Sequence, residues 1–206
     1  SLFYKMTNLS LIDKKIIVFD LDGTIVDLAV NWAHVKSILN DRYSRKYKGA
    51  DCNFRSISRC LSFIVERDDE EELQDFFTIL RDHELQGVPE SEPIEPIVHF
   101  IRNRGKFGVH SSARLAILSL NTRDTIKQAL KLAKVENEFD YIVGREDVRR
   151  WKPNPDGLLK IQEHYGVEKE EMVYFGDMTK DVKTGENAGI EAHLVGDLIQ
   201  FIDEKR

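Results

Sequence analysis

The stretch Ile16-Ile17-Val18-Phe19-Asp20-Leu21-Asp22-Gly23-Thr24 constrains this chain more than any other. Four apolar residues, rich in β-branched types, predict a buried strand. The strand stops at two carboxylates. Continued alternation puts Asp20 and Asp22 on one face and Leu21 on the other. Two acids at the mouth of a buried strand repel each other unless a cation sits between them. Gly23 then lets the backbone turn sharply away. An acidic strand end that only caps a following helix would look the same locally, so the rest of the chain decides the meaning of the pair.

Helical periodicity follows. Trp32, Val35, Ile38 and Leu39 recur at helical spacing and predict a helix over 27–47, with Trp32 as a core residue. Lys48-Gly49-Ala50 breaks the pattern, and Ile57, Leu61, Ile64 and Val65 mark a second helix. The acidic run Asp68-Asp69-Glu70-Glu71-Glu72 suits the positive end of a third helix. That helix carries Leu73, Phe76, Phe77 and Leu80 on one face. Residues 27–87 therefore form an all-helical block without a strand.

Gly87-Val88-Pro89, Pro93 and Pro96 punctuate the return to a different pattern. A short helix is predicted over 94–104 and an exposed loop over 105–112. Strands over 115–118, 140–143, 172–175 and 191–195 then alternate with helices over 123–133, 155–165, 179–188 and 198–205. This alternation predicts an α/β fold with a doubly wound parallel sheet, its crossovers right-handed. The domain reading is a core of 1–26 and 88–206 with an inserted helical unit of 27–87.

Composition narrows the classes. The 206 residues carry a net charge of −6 with no dense basic stretch, which argues against nucleic acid as a partner. No apolar run approaches the roughly 20 residues of a membrane span, and residues 1–10 lack a signal-peptide pattern. Cys52 and Cys60, the two cysteines, read as free thiols in a reducing cytoplasm. The six histidines form no HxxxH pair, so no zinc site is expected.

In a parallel sheet of this kind, ligands bind outside the carboxyl ends of the strands. The first strand ends in Asp20 and Asp22, the next in Ser119 with Asn121 close behind, and a later one in Gly176-Asp177 with Asp181 beyond. Trp151-Lys152-Pro153 leads into a helix start between them. Acids, a hydroxyl and a lysine on one rim suit a hard cation together with a phosphate group. Mg²⁺ takes a few oxygen ligands, while lysine and hydroxyl hold the remaining phosphate oxygens.

Asp20-Leu21-Asp22-Gly23-Thr24, Ser119, Lys152-Pro153 and Gly176-Asp177-Met178-Thr179-Lys180-Asp181 resemble, in order, the four motifs of the haloacid dehalogenase (HAD) superfamily. The helical block sits where members with a type-1 cap carry it, and the layout is similar to the phosphoglycolate phosphatase-like branch. The resemblance implies an HAD-like Rossmannoid core and a Mg²⁺-dependent phosphatase acting on a small phosphorylated metabolite. It implies Asp20 as the nucleophile that becomes an aspartyl phosphate, and Asp22 as acid–base with its backbone carbonyl on the metal. Asp177 would be a metal ligand, and Asp181 would steady it or a metal-bound water. Ser119, Asn121 and Lys152 would bind phosphoryl oxygens, and Lys152 would also restrain the nucleophile. Asp27 is read as a structural or gating residue. One departure is visible: Leu120 stands between Ser119 and Asn121, where relatives have Asn directly after the hydroxyl residue. A sugar phosphomutase resembling β-phosphoglucomutase would use the same residues, and a non-catalytic binding protein on this fold is the reading from another class. Substrate and oligomeric state are left open.

Overall fold

The computed structural model describes residues 8–49 and 51–206. Residues 1–7 of the signal-peptide reading, and Ala50 of the predicted break, lie outside them. The elements in chain order are β1 (Ile16–Phe19), β2 (Val26–Asp27), α1 (Trp32–Lys46), α2 (Ile57–Glu66), α3 (Glu70–Gly87), β3 (Glu92–Pro93) and α4 (Glu95–Asn103). They continue with β4 (Arg114–Leu118), α5 (Arg123–Leu132), β5 (Phe139–Val143), α6 (Asp156–Tyr165), β6 (Met172–Gly176), α7 (Thr179–Ala188), β7 (Glu191–Leu194) and α8 (Val195–Lys205).

The main sheet has five strands in the order β5-β4-β1-β6-β7. Every pairing in it is parallel. β1 lies at the centre because all four of its residues are apolar and buried, so it can be covered on both faces. Alternation divides the core. Ile17, Phe19, Leu115, Ile117, Val173 and Phe175 pack against α4, α5 and α8. Ile16, Val18, Ala116, Leu118, Met172 and Tyr174 pack under α6 and α7. Helices on both faces make the sheet doubly wound, as predicted. Phe19 pairs with Ile117 and Phe175, so the chain segments after β1, β4 and β6 emerge side by side.

Helices α1 to α3 enclose a separate apolar cluster that includes Val35, Leu39, Tyr43, Leu61, Ile64, Phe76 and Leu80. Trp151, from the loop before α6, packs into it. The predicted start of the first helix needs correction. Val26–Asp27 pairs antiparallel with Glu92–Pro93 instead, and the helix begins at Trp32 behind an Asn31 cap. The intervening amides are used elsewhere: Leu28 N–H donates to Asp22 Oδ1 at 3.0 Å and Ala29 N–H to Ser91 Oγ at 2.9 Å. The exposed loop expected over 105–112 is also corrected. Arg104–Phe107 forms a 3₁₀ turn, with Phe107 and Val109 buried. Phe107 fills space against Phe100 and Phe201, so burying its ring drives the turn inward. The last helix starts at Val195 rather than 198.

The two cysteines are not free thiols. Cys52 and Cys60 form a disulfide, with Cα atoms 5.7 Å apart. Phe54, buried at φ 60°, turns the segment back so that Cys52 meets the first turns of α2. The reducing-compartment reading loses the observation it stood on. Among the described residues no helix is long and apolar enough to cross a membrane.

A buried polar cluster fastens α3 to the sheet. Glu84 is fully buried. It accepts hydrogen bonds from Asn121 Nδ2 at 2.7 Å, Arg145 Nη2 at 2.9 Å and Thr125 Oγ1 at 3.0 Å. Thr122 adds its backbone N–H and its hydroxyl, both at 3.2 Å. Removing one partner from a buried ion pair leaves the other charge uncompensated, at a cost of about 3–5 kcal/mol. Glu84→Ala should therefore lose stability on that scale in urea denaturation. Glu84→Gln combined with Arg145→Met should recover part of the loss, because no charge is then stranded and the amide oxygen still accepts from Asn121, Thr122 and Thr125.

Candidate active site

The carboxyl ends of β1 and β6 form the floor of the site. Asp20 directly follows β1, and its N–H donates to the Phe175 carbonyl at 2.9 Å, which aligns it with the end of β6. Its Oδ1 accepts from Leu21 N–H at 2.7 Å. Its Oδ2 lies 3.3 Å from Lys152 Nζ. Lys152 is buried and reaches Asp181 Oδ1 at 2.6 Å and the Tyr174 hydroxyl at 2.9 Å. Tyr174 in turn donates to Asp181 Oδ1 at 2.8 Å, and Met178 N–H donates to Asp181 Oδ2 at 3.1 Å. Lys152 thus bridges an acid at the end of β1 and one in the first turn of α7.

Carboxylate oxygens of Asp20, Asp177 and Asp181 all lie within 4.8 Å of one another. Two glycines permit this crowding. A Cβ at Gly23 would collide with the Asp177 carboxylate, and one at Gly176 with the Asp181 carboxylate. Gly23 also has φ +76°, a conformation that glycine adopts without strain. Three hard oxygen donors without imidazole or thiolate fit a hard divalent cation. Asp181 enters this set with both oxygens already hydrogen-bonded, so it holds Lys152 in place as well as facing the acids.

The electrostatics follow from burial. Asp20 is pushed up to about 7 by burial; Lys152 pulls it back and Asp181 pushes it further up. Burial also raises Asp22, against hydrogen bonds from Leu28 N–H and Trp32 that favour its charged form. Asp177 is raised by burial and by Asp181. Burial pushes Asp181 up too, but the Lys152 ammonium and the donated hydrogen bonds outweigh it and hold Asp181 below the ordinary range. Lys180 is pushed down by burial, then by repulsion from Lys152 and Lys36.

Most residues singled out in the sequence meet here. Asp20, Asp22, Asn121, Lys152, Asp177 and Asp181 line one cavity of about 410 Å³. Ser119 is buried beside it, donating to Asn121 Oδ1 at 2.8 Å. The Asn121 amide is turned toward Glu84, so the Ser119–Asn121 pair is braced from α3. Asp27 is exposed in β2. Sequence reasoning placed Trp32 in the core rather than on the wall of this cavity. It also missed Lys36, Arg55 and Lys180 on the cavity wall. Lys180, inside the last motif, carried a signal; Lys36 and Arg55 on the helical block did not.

The family profile of haloacid dehalogenase-like hydrolases matches residues 17–195. The chain is 31% identical to pyrophosphatase PpaX of Halalkalibacterium halodurans over 92% of its own length and 87% of that protein. Among solved structures, a Lactobacillus plantarum chain assigned as a phosphoglycolate phosphatase superposes with a TM-score of 0.64 at 18% identity, over 94% of this chain and 92% of that one. CbbY from Rhodobacter sphaeroides, solved with phosphate, gives 0.60 at 18% identity, over 88% of this chain and 85% of that one. The chain belongs to the haloacid dehalogenase-like hydrolase family and is an enzyme of the hydrolase class.

The raised Asp20 carboxyl has a consequence for stability. In the metal-free protein the folded state holds this proton more tightly than the unfolded chain, whose value is near 3.8. The stabilising contribution is therefore present below pH 3.8 and is lost as pH rises through about 7. Asp20→Asn removes this dependence. In chelator, calorimetry should find the variant melting above the wild type at pH 8, with the gap shrinking steadily toward pH 4. A gap independent of pH would mean that Asp20 is not the group responsible.

Proposed function

We propose that this enzyme is a Mg²⁺-dependent phosphatase that hydrolyses a small phosphorylated metabolite through an aspartyl phosphate on Asp20. The observation that carries the reading is the placement of the Asp20 carboxylate. It is oriented by Leu21 N–H and by Lys152, beside Asp177 and Asp181, at the mouth of a cavity that Asp22 also lines. A carboxylate can attack phosphorus in line without first losing a proton to a base. Mg²⁺ held by Asp20, Asp177 and the Asp22 carbonyl, with Asp181 behind them, would neutralise charge on the transferring group and keep Asp20 ionised. Lys152 holds the nucleophile and a phosphoryl oxygen.

Asp22 serves as the acid that protonates the leaving oxygen and then as the base toward water. Burial raises its affinity for a proton, which suits the first role. Leu28 N–H holds the carboxyl in place for both. In the same reading, 27–87 is a cap inserted into a core of 1–26 and 88–206. The β2–β3 pair forms its connections, and Glu84 anchors it. The name of the Halalkalibacterium relative puts pyrophosphate on the substrate panel beside phosphorylated sugars and acids.

The test is turnover of such a panel with Mg²⁺. Asp20→Asn should abolish it while the protein stays folded. Asp22→Asn should slow alkyl phosphates about 10²–10⁴-fold, the usual worth of a positioned acid, and spare aryl phosphates in the first step. Retained turnover in Asp20→Asn would overturn the mechanism.

Added Ca²⁺ should inhibit. Its larger shell of 6–8 oxygens invites Asp20 to bind through both oxygens, which ties up the one that attacks. A titration at fixed Mg²⁺ should show competition between the two ions. Full activity with Ca²⁺ as sole cation would count against Asp20 acting as both ligand and nucleophile.

A further inference from the structure

The walls of the cavity carry charge of the opposite sign to its floor. Lys36 comes from α1, Arg55 from the loop that enters α2, and Lys180 from the first turn of α7. Among the described residues, none of these three side chains has an ion pair or hydrogen bond recorded with any protein group. Elsewhere the chain pairs its partly exposed cations readily. Arg42 meets Glu72 and Asp75, Arg149 meets Glu70, and Arg150 meets Asp156. Lys180 feels repulsion from Lys152 and Lys36 as well as attraction from Asp181 and Asp20, so it stands between the acidic floor and the cationic wall.

Position says which part of a substrate would meet them. In-line displacement puts the leaving group on the side of phosphorus opposite the attacking oxygen. With Asp20 on the floor at the strand ends, the leaving group points away from the sheet. There the helical insertion supplies Lys36 and Arg55. Ile57, Leu61 and Trp32 line the same cavity and give it apolar wall. A cavity of about 410 Å³ limits the whole molecule to a small one.

We propose that Lys36, Arg55 and Lys180 form a subsite for an anionic group on the leaving portion of the substrate, a carboxylate or a second phosphate a few bonds from phosphorus. This rests on the phosphatase reading for the position of the transferred group, and it adds the chemical class of the leaving group.

The test is calorimetric binding of three non-hydrolysable probes at fixed free Mg²⁺: methylphosphonate, phosphonoacetate and methylenediphosphonate. The two doubly anionic probes should bind at least about tenfold more tightly than methylphosphonate, the scale of one added charge contact in a partly desolvated site. Preference between those two separates a carboxylate from a second phosphate. Lys36→Met, Arg55→Met and Lys180→Met should each shrink the advantage, and the triple variant should erase it. In turnover, the kcat/KM ratio between esters with anionic and neutral leaving groups should fall in parallel. Equal binding of all three probes, or an advantage that survives in the triple variant, overturns the subsite. If that happens while Asp20→Asn still abolishes hydrolysis, the phosphatase reading stands without it. If discrimination is present but no phosphate compound is turned over, the subsite stands and the catalytic reading falls.

Discussion

Repulsion among carboxylates at the ends of two adjacent parallel strands organises this molecule. The pairing of β1 with β6 and the first turn of α7, which carries Asp181, bring Asp20, Asp177 and Asp181 within 4.8 Å. Their charges would drive the strand ends apart in the absence of a counter-charge. Lys152 provides one from within the chain, buried between Asp20 and Asp181 and seated on Tyr174. A buried ammonium without partners would lose its proton, so the lysine and the acids depend on each other. The remaining negative charge leaves a cluster of hard oxygen donors that could hold a hard cation.

The helical insertion solves a different problem. A site at strand ends is open to water, and phosphoryl transfer benefits from its exclusion. Three helices with their own apolar cluster cover that opening, and Trp151 joins the cluster to the loop that carries Lys152. Glu84 fastens the carboxyl-terminal half of α3 to Asn121, Thr122, Thr125 and Arg145. The same bonds brace the Ser119–Asn121 pair, so the covering layer also positions part of the floor. The Cys52–Cys60 disulfide closes the loop that presents Arg55.

Residue types and their order were enough for the parallel sheet, its buried first strand, helices between that strand and the return, and a set of acids and a lysine to look for at one rim. The reason is that each rests on local pattern. A β-branched run ending in Asp20-Leu21-Asp22-Gly23 admits few conformations, and strand–helix alternation admits few topologies. Lys152 and Asp181 stood out because short motifs carry them, one ahead of a helix start and one in the first turn after a strand.

Tertiary structure alone decided the rest. The helix expected from residue 27 starts at Trp32 because the amides of Leu28 and Ala29 are claimed by Asp22 and Ser91, and Ser91 lies far along the chain. Phe107 turns a polar-looking loop inward because Phe100 and Phe201 wait for it. Cys52 and Cys60 meet because Phe54 folds the intervening segment back. Glu84 looks like one more acid on an amphipathic helix until Arg145, 61 residues away, is seen beside it. Lys36 and Arg55 likewise read as solvated surface charges until the insertion is laid over the strand ends. Such contacts join residues remote in sequence, and no local pattern records which of two distant side chains will share a cavity.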